Sequence, residues 1–461
     1  MKKIFFVLLF LIFHSNDLPC SVPSGKFLNF SDIHFDPFLD SALIYKLDNS
    51  AWTEWENIFE SSSATAYSTY GQDCNYPLLK SSLLEMKSRI PKPDFIIITG
   101  DFMSHNFNEN YFHFIKTDDT LRLNGFIEKT MRFIASFITK QFSDVPIFSS
   151  VGNDDAYCGN YMVEPDGDFL KMLADTWEPW INKAGINGNF KSGFSKGGYC
   201  MLNFPGKEDF KMIILNTVFF SYKYENRCGD LSADPGLDEL NWLKHTLDSC
   251  RQNNFRVYLS YHIPPGADIY GTIHKKADCQ NKYFNTWKEN YNNMFIDITE
   301  QYSDEIISAF AGHFHRDDYR VFINERRLPV SYLLVTPSIS PVYDNNPSYK
   351  IFSYDTSRFN IINFDSYYLP VNDVSVFSEW RFQYDFKSAY RLNDISPESI
   401  MKIFGLINSD TTFRNNYIRF YIASNERDFA EDLWDWKYNY CGISFLKKDN
   451  YTNCLCNDRL K

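Results

Sequence analysis

No Cys-x-x-Cys occurs in this chain, which excludes the common thiolate zinc sites. Basic residues are not in excess: 46 Lys and Arg stand against 58 Asp and Glu, a formal net charge of −12. A nucleic-acid-binding surface needs a basic face, so that function class is set aside. An anionic substrate would have to be drawn in locally, for example by bound cations. No stretch reaches the ~20 apolar residues of a membrane helix. Internal repeats and low-complexity tracts are absent as well.

The chain that remains is globular in composition. Of 461 residues, 44% are hydrophobic and 23% charged, enough to bury a large core in one or two domains. Aromatics reach 18%. They fit either an aromatic pocket or a coding bias towards Phe, Tyr, Asn and Lys.

The first residues read as an export signal. Lys2 and Lys3 form a charged start, and Ile4 to Phe13 form an apolar run too short to span a bilayer. A leader over 1–22 places the protein outside the cytoplasm: extracellular, periplasmic or in an acidic vesicle. Ten cysteines fit that reading as disulfides, with the pairing open. Cleavage after Cys20 leaves nine, and so one free thiol. Two sequons occur, at Asn29 and Asn450. Asn29 falls on an expected buried strand and should stay bare. Asn450 is a surface candidate in a host that glycosylates.

Apolar strands and helices alternate through the first part of the chain. Residues 26–33, 94–99 and 145–151 read as strands, with helices over 78–90 and 121–140 between them. Two strand–helix–strand units in a row predict a sheet with a parallel part and right-handed crossovers. Helices are expected over 169–181 and 238–251. Residues 190–204 and 210–215 read as a β pair, and 255–261 and 306–311 as further strands. An antiparallel run is expected over 320–323, 330–335, 349–354 and 359–364. Beyond 370 the pattern turns helical, over 397–407, 413–421 and 428–440, and ends in Cys441, Cys454 and Cys456. The domains therefore read as a leader (1–22), a main body (23–370) and a helical tail pinned by disulfides (371–461).

Five stretches, each at the end of an expected strand, carry the chemistry. They are Asp32-x-His34; Gly100-Asp101 with His105; Gly152-Asn153-Asp154; Tyr261-His262; and Gly312-His313-x-His315. Singly each has a bland explanation: a core histidine, an ordinary turn, a solvated loop for Asp154 and Asp155. Together they offer carboxylate, amide and imidazole donors to borderline divalent ions such as zinc, manganese or iron. A bridging carboxylate would hold two ions ~3.5–4 Å apart, where they polarise a phosphoryl group. Glycine before a ligand permits a tight turn.

With those ligands the chain resembles the calcineurin-like metallophosphoesterases, and among them the acid sphingomyelinase-like phosphodiesterases. Leu215-Asn-Thr, Asp238 with Trp242, His262-Ile-Pro-Pro-Gly266, Gly312 to Asp318, Thr336 to Pro341 and Asn345-Asn346-Pro347 carry the resemblance over about residues 26–370. It implies an α/β four-layer αββα sandwich of two mixed sheets, with the tail as a small helical addition. It assigns one metal to Asp32, His34, Asp101 and His315, and a second to Asp101, Asn153, His262 and His313. Two divalent ions are implied, zinc first, then manganese or iron. His105 matches a catalytic histidine that contacts the phosphate or protonates the leaving group. A metal-bridging hydroxide would cleave a phosphodiester or nucleotide-type substrate.

Two departures bear on the substrate. Much of the family has histidine where Asp154 stands. An aspartate donates no proton unless its pKa is raised, which nearby cations oppose. That favours a good leaving group, and opens a polyphosphate or pyrophosphate hydrolase as an alternative. Sphingomyelinases proper also carry a saposin-like lipid-lifting module before the catalytic domain. Here few residues separate the leader from the first strand, which disfavours membrane sphingomyelin. Trp52, Trp55 and Phe59 could present a lipid-facing helix or pack in the core. The expected partner is a small phosphorylated molecule (nucleotide, phosphocholine-like or polyphosphate), and the protein is expected to be a monomer. A binding scaffold without activity is the alternative of another class, opposed by the complete ligand set.

Overall fold

The run Phe27 to Phe30 is fully buried, and a strand buried on both faces belongs at the centre of a sheet. In the computed structural model it forms β1 (Ser24–Phe30). The structure describes residues 23–183, 190–229, 233–371, 378–425 and 435–457. The expected leader, with Cys20, lies outside them.

β1 pairs in parallel with β2 (Ile96–Ile98), and β2 with β3 (Ile147–Ser149). The second sheet is built from β4 (Cys200–Phe204), β5 (Lys207–Ile214), β6 (Arg256–Ser260), β7 (Ile306–Ala311), β8 (Asp318–Ile323) and β9 (Pro329–Val335), in the order β4-β5-β6-β7-β9-β8. The chain then returns to the first sheet as β10 (Ser348–Asp355), β11 (Ile361–Tyr368) and β12 (Arg381–Asp385), giving the order β12-β11-β10-β1-β2-β3. In the first sheet the parallel strands β1, β2 and β3 run to one edge and antiparallel pairs to the other; in the second, parallel strands lie inside and an antiparallel pair stands at each edge. With the helices, this is the expected αββα sandwich.

The aromatic surplus is spent between the sheets. Phe27 of β1 stacks on Phe95 and Phe352 at 4.5 and 4.8 Å, and meets Phe310 of β7 edge-on at 5.6 Å. Phe204, Phe210, Tyr258 and Phe359 continue the cluster. Each such pair adds about 0.5–1.5 kcal/mol beyond area burial. Trp55 and Phe59 are buried too, against Phe126 and Phe133, so that face packs in the core and offers nothing to lipid.

Helices Tyr76–Arg89, Thr120–Gln141, Asp168–Asn182 and Pro235–Gln252 fall where periodicity places them. Asn75 and Asp119 cap the first two by accepting from backbone N–H groups.

Three expectations need correction. The stretch 190–204 is not one strand: Phe190–Gly197 is a helix, and only Cys200–Phe204 pairs with β5. Phe190 and Phe194 lie one turn apart on a buried face, with Phe194 against Trp177 at 5.5 Å, so helical spacing wins over β propensity. The antiparallel run is split, since β8 and β9 stay in one sheet while β10 and β11 cross to the other. The tail is not wholly helical, because β12 extends the first sheet. Its helices include Pro397–Ser409, Thr411–Tyr421, Trp436–Ser444 and Lys448–Leu455. The part of the expected 428–440 helix before 435 lies outside the described residues.

Disulfides join Cys158 to Cys228, Cys279 to Cys456, and Cys441 to Cys454. The second ties the tail to the body. Cys74, Cys200 and Cys250 are free and buried, so three thiols stand where one was expected. Asn29 is buried and hydrogen-bonded to Ile97 and Thr336. Asn450 is exposed.

Candidate metal centre

Parallel pairing does not stop where the strands do. Asp32, His34 and Phe35 donate their N–H groups to the carbonyls of Gly100, Asp101 and Phe102 at 2.8–3.0 Å. The loops after β1 and β2 therefore run side by side and present Asp32, His34 and Asp101 together. His262 follows β6, and His313 and His315 follow β7, on the facing sheet. The backbone is held in the left-handed region at Asp32, His34, Asp101, His313 and His315. Such conformations cost of order 1–3 kcal/mol each for ordinary residues and cluster at functional sites. Glycine allows the close approach: a Cβ on Gly152 would fall 2.0 Å from Asp101 Oδ1, and one on Gly312 2.5 Å from Asp32 Oδ2.

Two groups of donors share a carboxylate. Asp32, His34 and Asp101 form one; Asp101, His262 and His313 form the other. His34 Nε2 lies 3.4 Å from Asp101 Oδ2 and 3.1 Å from His315 Nε2, and His315 Nε2 lies 3.4 Å from Asp32 Oδ1. His262 Nε2 lies 2.9 Å from Asp101 Oδ2 and 3.0 Å from Asn153 Oδ1. All seven expected ligands are thus brought together.

The chemistry of the donor set fits metal ions. His34 and His262 donate Nδ1–H to the carbonyls of Met103 and Thr99 at 2.9 and 2.6 Å, which leaves each Nε2 lone pair facing inward. Lone pairs there face carboxylates and each other. Among the described residues no Lys or Arg pairs with Asp32 or Asp101; their ion-pair partners are histidines. A buried cluster of acceptors needs cations.

The carboxylates also set the proton affinity of the imidazoles. Burial lowers His262, but the Asp101 carboxylate overrides it and lifts the imidazole to about 9. His34 is raised for the same reason, burial opposed and exceeded by Asp101 and Asp32. His313 and His315 are pushed down, by burial and then by the charge of neighbouring histidines. Asp101 lies below the ordinary carboxylate range because His262 and His34 outweigh its burial.

Around this core stand groups that motif spacing did not reveal. Asp155 is buried, not a solvated loop residue. Its carboxylate accepts from the N–H groups of Asp101, Phe102, Met103 and Gly152 at 2.8–3.2 Å and so staples the β2 loop to the β3 loop. Burial and repulsion by Asp101 still lift it to about 6. Asp154 is buried as well, and the same two causes raise it. His105 stacks on His34 with ring centroids 4.1 Å apart. Its Nδ1–H points at Asp73, 3.0 Å away, and its Nε2 accepts from the Tyr343 hydroxyl at 3.1 Å. Asp73 reaches it because Cys74 N–H bonds to His34 carbonyl, laying a third loop beside the first two. Burial raises Asp73, but the hydrogen bond from His105 and the nearby imidazole charges hold it below its ordinary value. On the other side, Tyr161 points its hydroxyl at His313 Nε2, 3.5 Å away.

A family model for calcineurin-like phosphoesterases matches residues 25–317, more than half of the chain and all seven donors. The chain belongs to the calcineurin-like phosphoesterases. A second model, the acid sphingomyelin phosphodiesterase C-terminal region, matches residues 328–461. Human acid sphingomyelinase-like phosphodiesterase 3b is 24% identical over 462 residues, covering 97% of this chain and 94% of that protein. Human cyclic GMP-AMP phosphodiesterase SMPDL3A is 25% identical over 448 residues, covering 94% and 90%. Sphingomyelinase phosphodiesterase C of Dictyostelium discoideum is 27% identical over 423 residues, covering 88% and 87%. The chain is thus a phosphoesterase, a hydrolase of phosphoric esters, similar over most of its length to acid sphingomyelinase-like phosphodiesterases.

Proposed function

We propose that this phosphoesterase is an exported, monomeric, dinuclear-metal phosphodiesterase acting on small nucleotide-type or phosphocholine-type diesters. The observation that carries the reading is the Asp101 carboxylate, which belongs to both donor groups. Asp32, His34, Asp101 and His315 would hold one ion, and Asp101, Asn153, His262 and His313 the other. Their mixture of nitrogen and oxygen suits zinc first, then manganese or iron. Bound, the two ions would supply Lewis-acid polarisation of the phosphoryl group and acidify water at neutral pH. The leader over 1–22 and the three disulfides support export. The body over 23–370 carries the whole cluster, and the tail over 371–461 is read as its buttress.

His105 is the residue to serve the leaving group. Asp73 fixes its tautomer, so Nε2 is the atom that faces the mouth of the site. A proton or hydrogen bond delivered there would stabilise the departing oxygen. Asp154 lies with its Oδ2 3.9 Å from that nitrogen, where much of the family has a second histidine. This supports the second reading, a phosphoanhydride hydrolase acting on polyphosphate or pyrophosphate, whose phosphate leaving group needs less protonation.

A panel on purified, metal-analysed protein from pH 4 to 8 tests both. It compares bis-p-nitrophenyl phosphate, p-nitrophenyl phosphate, ATP, phosphocholine esters and long-chain polyphosphate. Diester turnover with two metals per chain is expected. Selective shortening of polyphosphate would replace the first reading with the second. Full metal occupancy without turnover on any substrate would leave a binding scaffold.

A further inference from the structure

Two loops hold His105. The loop before the helix Tyr76–Arg89 brings Asp73 to Nδ1, and the loop after β9 brings the Tyr343 hydroxyl to Nε2. The loops are fastened to each other: Gly71 N–H bonds to the Pro341 carbonyl at 3.3 Å, and the Ser340 hydroxyl to Asp73 Oδ1 at 3.0 Å. One side chain gathers both loops and a third segment. Asn346 is buried, only 1% exposed. Its Oδ1 accepts from the Tyr70 hydroxyl at 2.7 Å and from Val371 N–H at 3.0 Å, and its Nδ2 donates to the Ala423 carbonyl at 2.9 Å. Tyr70 stands three residues before Asp73, and Asn346 three residues after Tyr343. One amide therefore ties together the segments that grip the two nitrogens of His105.

The third segment is a turn of the tail. It follows the helix Thr411–Tyr421, with Ala423 and Ser424 in the left-handed region at φ of 48° and 58°. Residues other than glycine hold that conformation where their surroundings over-determine it. Here Ser424 N–H closes back on the Arg419 carbonyl at 2.8 Å, and the turn is bonded to the body on several sides. Asn425 Nδ2 donates to the Asp344 carbonyl at 2.5 Å, and Asp317 N–H to the Tyr421 carbonyl at 3.2 Å. Arg316 donates to the Tyr343 carbonyl at 2.8 Å and lies over the Tyr421 ring. The tail does not need Asn346 to stay attached, since the Cys279–Cys456 disulfide and the Tyr417 bond to Asp318 hold it elsewhere. An amide that donates at one end and accepts twice at the other is not replaced by another side chain of that length.

We propose that Asn346 is a positioning residue for His105. By joining the Asp73 loop, the Tyr343 loop and the tail turn into one unit, it fixes where the imidazole stands and makes the tail part of the leaving-group step. The proposal rests on the reading of His105 as the residue that serves the leaving group.

The test uses the full-length, metal-loaded protein and methyl aryl phosphodiesters whose leaving groups run from p-nitrophenol to phenol. Asn346→Asp keeps both acceptor contacts and turns a lone pair on the Ala423 carbonyl. It should lower kcat about tenfold for the phenol ester, where protonation matters most, and much less for the p-nitrophenol ester. KM and metal content should stay near wild type. Tyr70→Phe removes one hydrogen bond and keeps the ring. It should act in the same direction by about threefold, and it decides the matter if Asn346→Asp does not fold. Placed in His105→Ala, Tyr70→Phe should add no further leaving-group dependence, because the effect runs through that ring. Equal losses on every ester, or a loss that persists in His105→Ala, overturn the proposal. The His105 ring resonances of histidine-labelled protein, assigned by their absence in His105→Ala, read the same coupling without turnover. They should move in Tyr70→Phe, and unmoved resonances overturn the proposal as well. If His105→Ala itself falls equally on all esters, or the wild type cleaves none, the leaving-group or hydrolase reading fails separately, and the resonances still decide whether Asn346 positions the ring.

Discussion

Asp32 and Asp101 on one side of the His313–His315 loop, and Asp317 and Asp318 on the other, are buried to a similar degree but neutralised in opposite ways. Behind the loop the protein brings its own cations. Lys350 Nζ bonds Asp317 at 2.6 Å and Tyr384 completes the same carboxylate at 2.7 Å, while Arg320 pairs with Asp318 and Tyr417 adds a bond at 2.7 Å. In front of the loop no described Lys or Arg pairs with a carboxylate, and imidazole lone pairs point inward. The same folding problem, charge without water, is solved once by side chains and once by leaving room for ions. That difference is what marks the front cluster as functional and the back one as structural.

Removing the shared carboxylate should break the comparison most severely. Asp101→Asn is expected to lower diester turnover by about a thousandfold or more, the scale on which reacting groups lose their electrostatic support. Metal analysis should show loss of both ions, since Asp101 faces both groups. An Asp101→Asn protein that keeps two metals would refute its bridging place.

Lys350→Met probes the other side. It strands Asp317 in the interior, and breaking such a buried pair costs about 3–5 kcal/mol. Denaturant unfolding should register that loss while metal stoichiometry at saturating metal stays at two. Metal loss without destabilisation would mean that the two clusters are one network.

His105→Ala lies between these extremes in scope. A proton donor contributes roughly 10²–10⁴ in rate. We expect kcat to fall on that scale with metal content near normal. Loss of both metals in this variant would reassign His105 as a ligand, a possibility its grouping with His34 and His315 makes concrete. Asp73→Asn should reproduce part of the kcat loss and shift the pH profile, because the Asp73 carboxylate holds the His105 ring at Nδ1.

The seven donors were legible because each ends an apolar run, and a sheet edge is where strand ends meet. Asp73 was not: it lies in a loop with no periodicity, and only the Cys74–His34 backbone bond carries it to His105. Asp155 was adjacent to a recognised motif yet read as solvated, since nothing in Asp154-Asp155 shows that four backbone N–H groups turn towards one carboxylate. Tyr343 lay between two recognised stretches, but its hydroxyl contact to His105 spans 238 residues. The sheets were legible strand by strand. The crossing from β9 to β10 was not, because antiparallel neighbours and strands of facing sheets leave the same alternation in sequence.

Glu239 sharpens the comparison from a third side, as a buried carboxylate with which no Lys or Arg among the described residues pairs. One oxygen accepts from Asn216 N–H at 2.7 Å; the other has no hydrogen-bond partner. Burial raises its pKa well above the ordinary 4.5, with the Asn216 bond only partly opposing. The native state therefore holds a proton that the unfolded chain releases above about pH 4.5. Its contribution to stability is full below that pH and is lost progressively as pH rises towards the native value. Glu239→Gln keeps an acceptor for Asn216 and has no charge to bury. Urea unfolding at pH 5 and pH 8 should show a smaller loss of stability across that interval in the variant than in the wild type. The sign is what matters. A wild type that gained stability from this residue on going to pH 8 would require a cation beside Glu239, and with it a second metal-like position in the fold.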